Sequence, residues 1–237
     1  MTSIALIGPD GAGKTTITRM LESSSLLPFK YLYMGINLEA SNVALPTSRL
    51  IEYLKQSRNR RSGVSRPRGK SVHDRSNPKR KPMGKLWALA RLVNRLADEW
   101  YRQLISWSYQ LQGYLVLYDR HFLFDFAIDS IDNENQSLSK RVHRWCLTHF
   151  YPRPDLVIYL DAPAEVLFAR KGEWTPQYLE HRRQAFIQQG KQTPNFVQID
   201  VSQPLDIVHA EVLGHIMRFY RNRKARTARL DRNSVTR

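Results

Sequence analysis

The sequence predicts an α/β protein, with a five-stranded parallel sheet between two helical layers. Three observations predict it. Short apolar runs alternate with longer segments whose apolar residues recur at three- and four-residue steps. The apolar runs are continuous rather than alternating, as strands covered on both faces require. Glycine- and acid-rich punctuation follows them at Gly8, Asp119 and Asp161, and parallel sheets place ligand-binding groups at the carboxyl ends of strands.

The first strand is Ile4–Ile7, and it runs into Gly8–Thr16, GPDGAGKTT. Gly8, Gly13, Lys14 and Thr15 satisfy every fixed position of the phosphate-loop pattern G-x-x-x-x-G-K-[ST]. A helix from Thr15 to Ser23 follows, with Ile17, Met20 and Leu21 on one face. Strand, glycine loop and helix in this order predict a P-loop NTPase fold. Backbone N–H groups from Gly8 through Thr16, including those of Asp10, Gly11 and Ala12, cradle phosphates, and the helix N-terminus adds its field. Lys14 reaches the β- and γ-phosphates of ATP, and the Thr15 hydroxyl ligates Mg²⁺.

Lys30–Met34 is the second strand, and Gly35–Thr47 an ordered loop. Leu50, Ile51, Tyr53 and Leu54 suggest a short helix. Gly84–Gly113 is a long helix carrying Leu86, Leu89, Ala90, Val93, Leu96, Ala97, Trp100, Leu104 and Trp107 in helical register. The third strand, Tyr114–Tyr118, ends at Asp119-Arg120-His121. A helix over Leu138–Phe150 is broken by Pro152 and Pro154, and the strand Leu156–Leu160 ends at Asp161. Pro163–Arg170 and Pro176–Gln189 are helices around an interruption at Arg170–Trp174. Phe196–Ile199 is the last strand and Leu205–Tyr220 the last helix.

Charge is unevenly placed. Residues 55–85 hold twelve Lys or Arg against Asp74, and 218–237 hold eight against Asp231. Those segments carry +11 and +7, so the rest of a chain of net charge +16 sums to −2. The low apolar content of residues 57–82 predicts a mobile loop. The organisation expected is a domain over 1–222, with 55–85 as a basic insertion and 223–237 as a basic tail. These segments read either as solvated chain or as a surface for non-specific contact with nucleic acid or anionic lipid. Their aromatic residues are limited to Phe219 and Tyr220, which does not support base-specific readout.

Cys146 is the only cysteine, which excludes an intramolecular disulfide and argues against a cysteine-based metal site. No apolar run approaches the roughly 20 residues of a membrane span. The N-terminal apolar stretch runs straight into the phosphate loop, unlike a signal peptide. A cytoplasmic location is expected.

Asp119 ends a buried strand, where an acid either helps to hold Mg²⁺ or caps a helix. Arg120 beside it offers a bidentate clamp for a second phosphate, or a surface ion pair. No glutamate follows Asp119 to orient a water, which favours transfer to a bound acceptor over hydrolysis. Arg170, Lys171 and Arg182-Arg183 form either a cationic lid or a solvated turn.

Three motifs together resemble the thymidylate kinase-like branch of the P-loop nucleoside monophosphate kinases. They are Gly8–Thr16 with an acid at Asp10, Asp119-Arg120-His121 with His where that family has Tyr, and Pro154-Asp155-Leu-Val-Ile-Tyr-Leu-Asp161-Ala-Pro163 followed by Arg170-Lys171. The resemblance covers about half the chain. It implies an ATP- and Mg²⁺-dependent kinase of a small phosphate acceptor, with Asp10 and Arg120 toward the acceptor and Arg170 and Lys171 as catalytic cations beside Lys14 and Asp119. Ala12 stands where some members carry a loop Arg. Leu45-Pro46-Thr-Ser-Arg49 is similar to the family's segment ending in an acceptor-binding Arg, with spacing one residue long. A homodimer paired through a helix face is also implied. The base-binding region between Gly35 and Gly113 departs from the family pattern. That leaves open a (deoxy)nucleoside monophosphate, or a sugar or surface-polysaccharide precursor, as acceptor. A nucleotide-responsive nucleic-acid-binding protein is the reading from another class.

Overall fold

The computed structural model describes residues 1–36, 41–49, 53, 83–131, 138–172 and 174–235. The expected helix around Leu50–Leu54 and the loop at 57–82 lie outside the described residues, apart from Tyr53. The elements in chain order are β1 (Thr2–Ile7), α1 (Lys14–Ser23), β2 (Phe29–Tyr33), α2 (Met83–Leu111), β3 (Leu115–Asp119) and α3 (Phe122–Ile131). They continue with α4 (Leu138–Phe150), β4 (Leu156–Asp161), α5 (Ala164–Lys171), α6 (Pro176–Gly190), β5 (Phe196–Asp200) and α7 (Leu205–Val235).

The strands form one all-parallel sheet in the order β2-β3-β1-β4-β5. The three inner strands β3, β1 and β4 are buried at every residue, whereas the edge strands are only partly so. This is why the inner strands read as unbroken apolar runs. Residues alternate between two cores. Ile4, Leu6, Leu117 and Ile158 pack against Ile17 and Leu21 of α1, Leu167 of α5, and Val212 and Ile216 of α7. On the other face Ala5, Ile7, Val116, Val157 and Tyr159 meet Phe122 of α3, Leu147 of α4 and Phe186 of α6. The expected three-layer fold is present.

Three elements differ from expectation. Helix α3, Phe122–Ile131, falls in a stretch to which the sequence pattern assigns no element. Helix α7 does not stop at Tyr220 but continues to Val235; its added Arg, Lys and Ala residues are good helix formers.

Helix α2 forms where its spacing predicts, yet presents a polar side to the protein. Leu89, Val93 and Leu104 are 55–57% exposed, while Asp98, Glu99, Arg102, Gln103 and Ser106 are buried. Most of these buried groups find polar partners, while Arg102 Nε and Gln103 Oε1 have none among the described residues. Asp98 pairs with Arg102 and accepts from the Leu45 N–H at 2.8 Å. Arg102 donates to Gly35 O at 2.9 Å, Glu99 meets His143 Nε2 at 2.7 Å, and the Ser106 and Tyr118 hydroxyls bond at 2.7 Å. Partnering of this kind is what makes burial of charged groups tolerable.

Candidate active site

Because all five strands run parallel, the residues just after β1, β3 and β4 share one edge of the sheet. Pairing of Leu6 with Asp119, and of Ile7 with Tyr159, sets that edge in register. The phosphate loop crosses it. A Cβ on Gly8 would lie 2.4 Å from Leu160 O, so the loop can pass β4 only with glycine there. Gly13 caps α1 at φ 78°, a left-handed backbone that favours glycine.

Lys14 is the first residue of α1 and is buried, its Nζ donating to Gly8 O at 2.9 Å and Pro9 O at 2.6 Å. Burial, with the charge of Arg120 next, pulls its ammonium down to about 7, against the opposing pull of Asp10 and Asp119. The Thr15 hydroxyl donates to Asp119 Oδ2 at 2.6 Å across 104 residues of sequence. Tyr31, on β2, donates to the same oxygen at 3.2 Å. Burial first, and Asp119 second, hold the Tyr31 hydroxyl well above the ordinary tyrosine range.

Asp119 is 1% exposed, and its Oδ1 has no hydrogen-bond partner among the described residues. A buried carboxylate oxygen without a donor, beside a threonine hydroxyl, fits a hard cation bound through oxygen. Among the described residues no three His, Cys, Asp or Glu gather to hold a metal by themselves. Mg²⁺ suits such a sparse set, because it takes one or two protein oxygens and completes its shell with water and phosphate. Thr15 and Asp119 would be its protein ligands.

Arg120 sits at φ 68° immediately after β3, its N–H donating to Leu6 O at 3.0 Å. Its guanidinium pairs with Asp10. Lys171 Nζ, at the end of α5, lies 3.8 Å from the same carboxylate. Burial would raise the Asp10 pKa, but Arg120, Lys14 and Lys171 together hold it well below the carboxylate range. Burial likewise acts to lower Arg120, and Asp125 and Asp10 more than offset it. The chain thus brings Asp10, Lys14, Thr15, Asp119, Arg120 and Lys171 into one charged cluster, as the motif order leads one to expect.

The other expected groups have these surroundings. Arg170 donates to Val201 O at 2.7 Å, at the end of β5. Arg49 donates to Asn42 O at 3.4 Å, and the Asn42 side chain accepts from the Tyr33 N–H at 3.0 Å and donates to Tyr31 O at 3.1 Å. Thr16 is exposed on the first turn of α1. Asp161 accepts from Tyr159, from Arg183 through two nitrogens and from Gln198, at 2.7–2.9 Å. His121 is fully buried among the rings of Tyr118, Phe122, Phe124 and Tyr151. That burial pulls it down to about 3, so it stays neutral. Tyr31 and Asp125 belong to the site and had no local signal. Only the pairing of β2 with β3 brings Tyr31 to Asp119, and only α3 brings Asp125 to Arg120.

No protein-family model and no curated protein sequence matches the chain. Solved structures do. Thymidylate kinase from Candida albicans aligns over 91% of this chain and 91% of its own, with 20% identity and a TM-score of 0.58. A deoxyadenosine kinase from M. mycoides, solved with bound dCTP, aligns over 91% of this chain and 98% of its own, with 15% identity and a TM-score of 0.48. The parallel five-stranded order, the glycine loop after β1 and the likeness to thymidylate kinase agree: the chain has the P-loop kinase α/β fold.

Proposed function

We propose that the protein is a phosphotransferase that moves the γ-phosphoryl group of MgATP to a small acceptor already carrying a phosphate, a (deoxy)nucleoside monophosphate or a related compound. The observation that carries this reading is the meeting of two charged sets at one sheet edge. Thr15 and Asp119 make one, and Arg120 with Asp10 makes the other.

The chemistry follows from those atoms. Phosphoryl transfer needs positioning and charge stabilisation more than covalent assistance. The loop N–H groups and Lys14 hold the donor phosphates; Lys14 must then exchange the Gly8 and Pro9 carbonyls for phosphate oxygens. Thr15 and Asp119 would hold Mg²⁺, which would neutralise charge on the donor phosphates. Arg120 exchanges Asp10 for the acceptor phosphate, and a planar guanidinium can clamp that group through two nitrogens. Asp10, released, accepts from a hydroxyl of the acceptor. Lys171 is close enough to the same carboxylate to follow charge on the moving group.

The test is ADP release from MgATP against ribo- and deoxynucleoside monophosphates, sugars and sugar phosphates, with Lys14→Ala as control. The expected result is release stimulated by one phosphorylated acceptor and abolished in Lys14→Ala. Stimulation by an unphosphorylated sugar alone would overturn the acceptor assignment. ATP binding with no acceptor-stimulated release across the panel would overturn the kinase reading.

A further inference from the structure

A cavity of about 690 Å³ lies at the opposite edge of the sheet from the charged cluster. Its wall includes Pro154 and Asp155, just before β4, and Asn195, just before β5. The parallel strands therefore put their full length between this cavity and the edge that holds Thr15, Asp119 and Arg120. Helices α3, α4, α6 and α7 complete the wall.

Three kinds of chemistry converge there. The first is positive charge. Arg144 of α4, Arg153 after it, and Arg223 and Arg226 of α7 line the space. Asp155 is the one carboxylate among the described lining residues, and it is already engaged with Arg223 and with the N–H and hydroxyl of Ser3. An anion of charge −2 or more suits such a wall. The second is an apolar floor, in which Phe124 and Leu147 are buried and Phe126 and Phe219 half-buried. Aromatic faces of this kind take a flat ring. The third is amide chemistry. Gln189 donates through Nε2 to Leu123 O at 3.3 Å, and its buried Oε1 has no hydrogen-bond partner among the described residues. Asn195 and Asn222 add further amides at the rim. A side-chain amide offers both donor and acceptor to the edge of a heterocycle.

We propose that this cavity is a binding site for a nucleoside di- or triphosphate, distinct from the phosphate-loop site. Arg144, Arg153 and Arg226 hold the phosphates, the phenylalanines hold the base, and the amides read its edge. The volume falls in the range that encloses a ligand of this size. Inorganic polyphosphate would leave the apolar floor unused, and an apolar ligand would leave the excess positive charge of the wall uncompensated.

The test uses the full chain and ADP without Mg²⁺. Equilibrium dialysis with labelled ADP gives the number of sites, and hydrogen exchange locates them. Wild-type protein is expected to take up a second equivalent that protects residues 144–155, 189–195 and 219–226. Lys14→Ala should keep that equivalent and lose the one at the phosphate loop. The double substitution Arg144→Ala/Arg153→Ala, at two exposed positions, should do the reverse, weakening the second site at least about tenfold. Pyrophosphate should bind the cavity at least about tenfold more weakly than ADP, because it lacks a base. Absence of protection at these segments, or equal affinity for pyrophosphate and ADP, would overturn the proposal. Loss of ADP from the phosphate loop alone would instead count against the kinase reading and leave this one standing.

Discussion

Asp161→Ala should cost the fold about 3 kcal/mol while removing no group that touches substrate. The carboxylate is 5% exposed at the end of β4 and accepts four hydrogen bonds. Two come from the Arg183 fork at 2.7 and 2.9 Å, which fastens α6 to the sheet. Breaking one partner of a buried pair costs roughly 3–5 kcal/mol, and of an exposed pair roughly 0–1. The Arg183 side chain is 18% exposed, so screening takes the value to the lower end of the buried range. The buried Tyr159 hydroxyl also loses its acceptor, which costs about 1–3 kcal/mol where nothing replaces it. Movement of Arg183 into solvent recovers part of the sum, leaving about 3 kcal/mol. For a chain of this length that lowers Tm by roughly 6–12 °C. Asp161→Asn keeps one acceptor and should cost about half as much. Urea unfolding followed by tryptophan fluorescence measures both. A double-mutant cycle with Arg183→Ala should return a coupling of about 1.5–3 kcal/mol. A loss under about 1 kcal/mol for Asp161→Ala, or strict additivity with Arg183→Ala, would refute the account.

Three further outcomes are expected. Arg120→Ala should raise KM for a phosphorylated acceptor on the order of 100-fold and leave KM for ATP within a few-fold, which steady-state kinetics with each substrate varied will separate. Tyr31→Phe removes the hydroxyl that orients Asp119, and should raise the Mg²⁺ concentration needed for half-maximal activity by about 10-fold or more. The third concerns acid. His121 titrates at about 3 in the fold against its ordinary 6.5, so below pH 6.5 the unfolded chain takes up the proton first. Its contribution to stability is complete above 6.5 and is lost progressively from there toward 3, with a slope of up to about 1.4 kcal/mol per pH unit. In His121→Phe, urea midpoints measured between pH 7.5 and 4.5 should fall less steeply than in the wild type.

The parts of the fold visible in the sequence were those governed by short-range pattern. Strand ends came within a residue or two of Ile7, Asp119 and Asp161, because an inner parallel strand is apolar along its whole length and stops where solvent begins. The charged cluster was legible for the same reason, since parallel strands deliver their carboxyl ends to one edge. What local pattern could not convey was who faces whom. The apolar spacing on α2 identified a helix, but Asp98, Glu99 and Arg102 turn inward because Gly35, Leu45 and His143 offer partners. Arg170 and Lys171 are adjacent in sequence. A helix separates neighbours by about 100°, so one meets Val201 and the other Asp10. Tyr31 and Asp125 enter the site only through strand order and helix placement.

The pairing of Asp10 with Arg120 and Lys171 also governs how a substrate arrives. Asp10, Asp119 and Asp125 lie among Lys14, Arg120 and Lys171, and the charges of these neighbours act on Asp10, Lys14 and Arg120. Opposite charges so close cancel beyond a Debye length, roughly 10 Å at 0.1 M salt. Seen from solution the site is nearly mute, and the attraction an anion feels comes from a chain of net charge +16. Capture is therefore a property of the whole surface and retention a property of the cluster. Added salt should slow association while leaving the rate of departure almost unchanged.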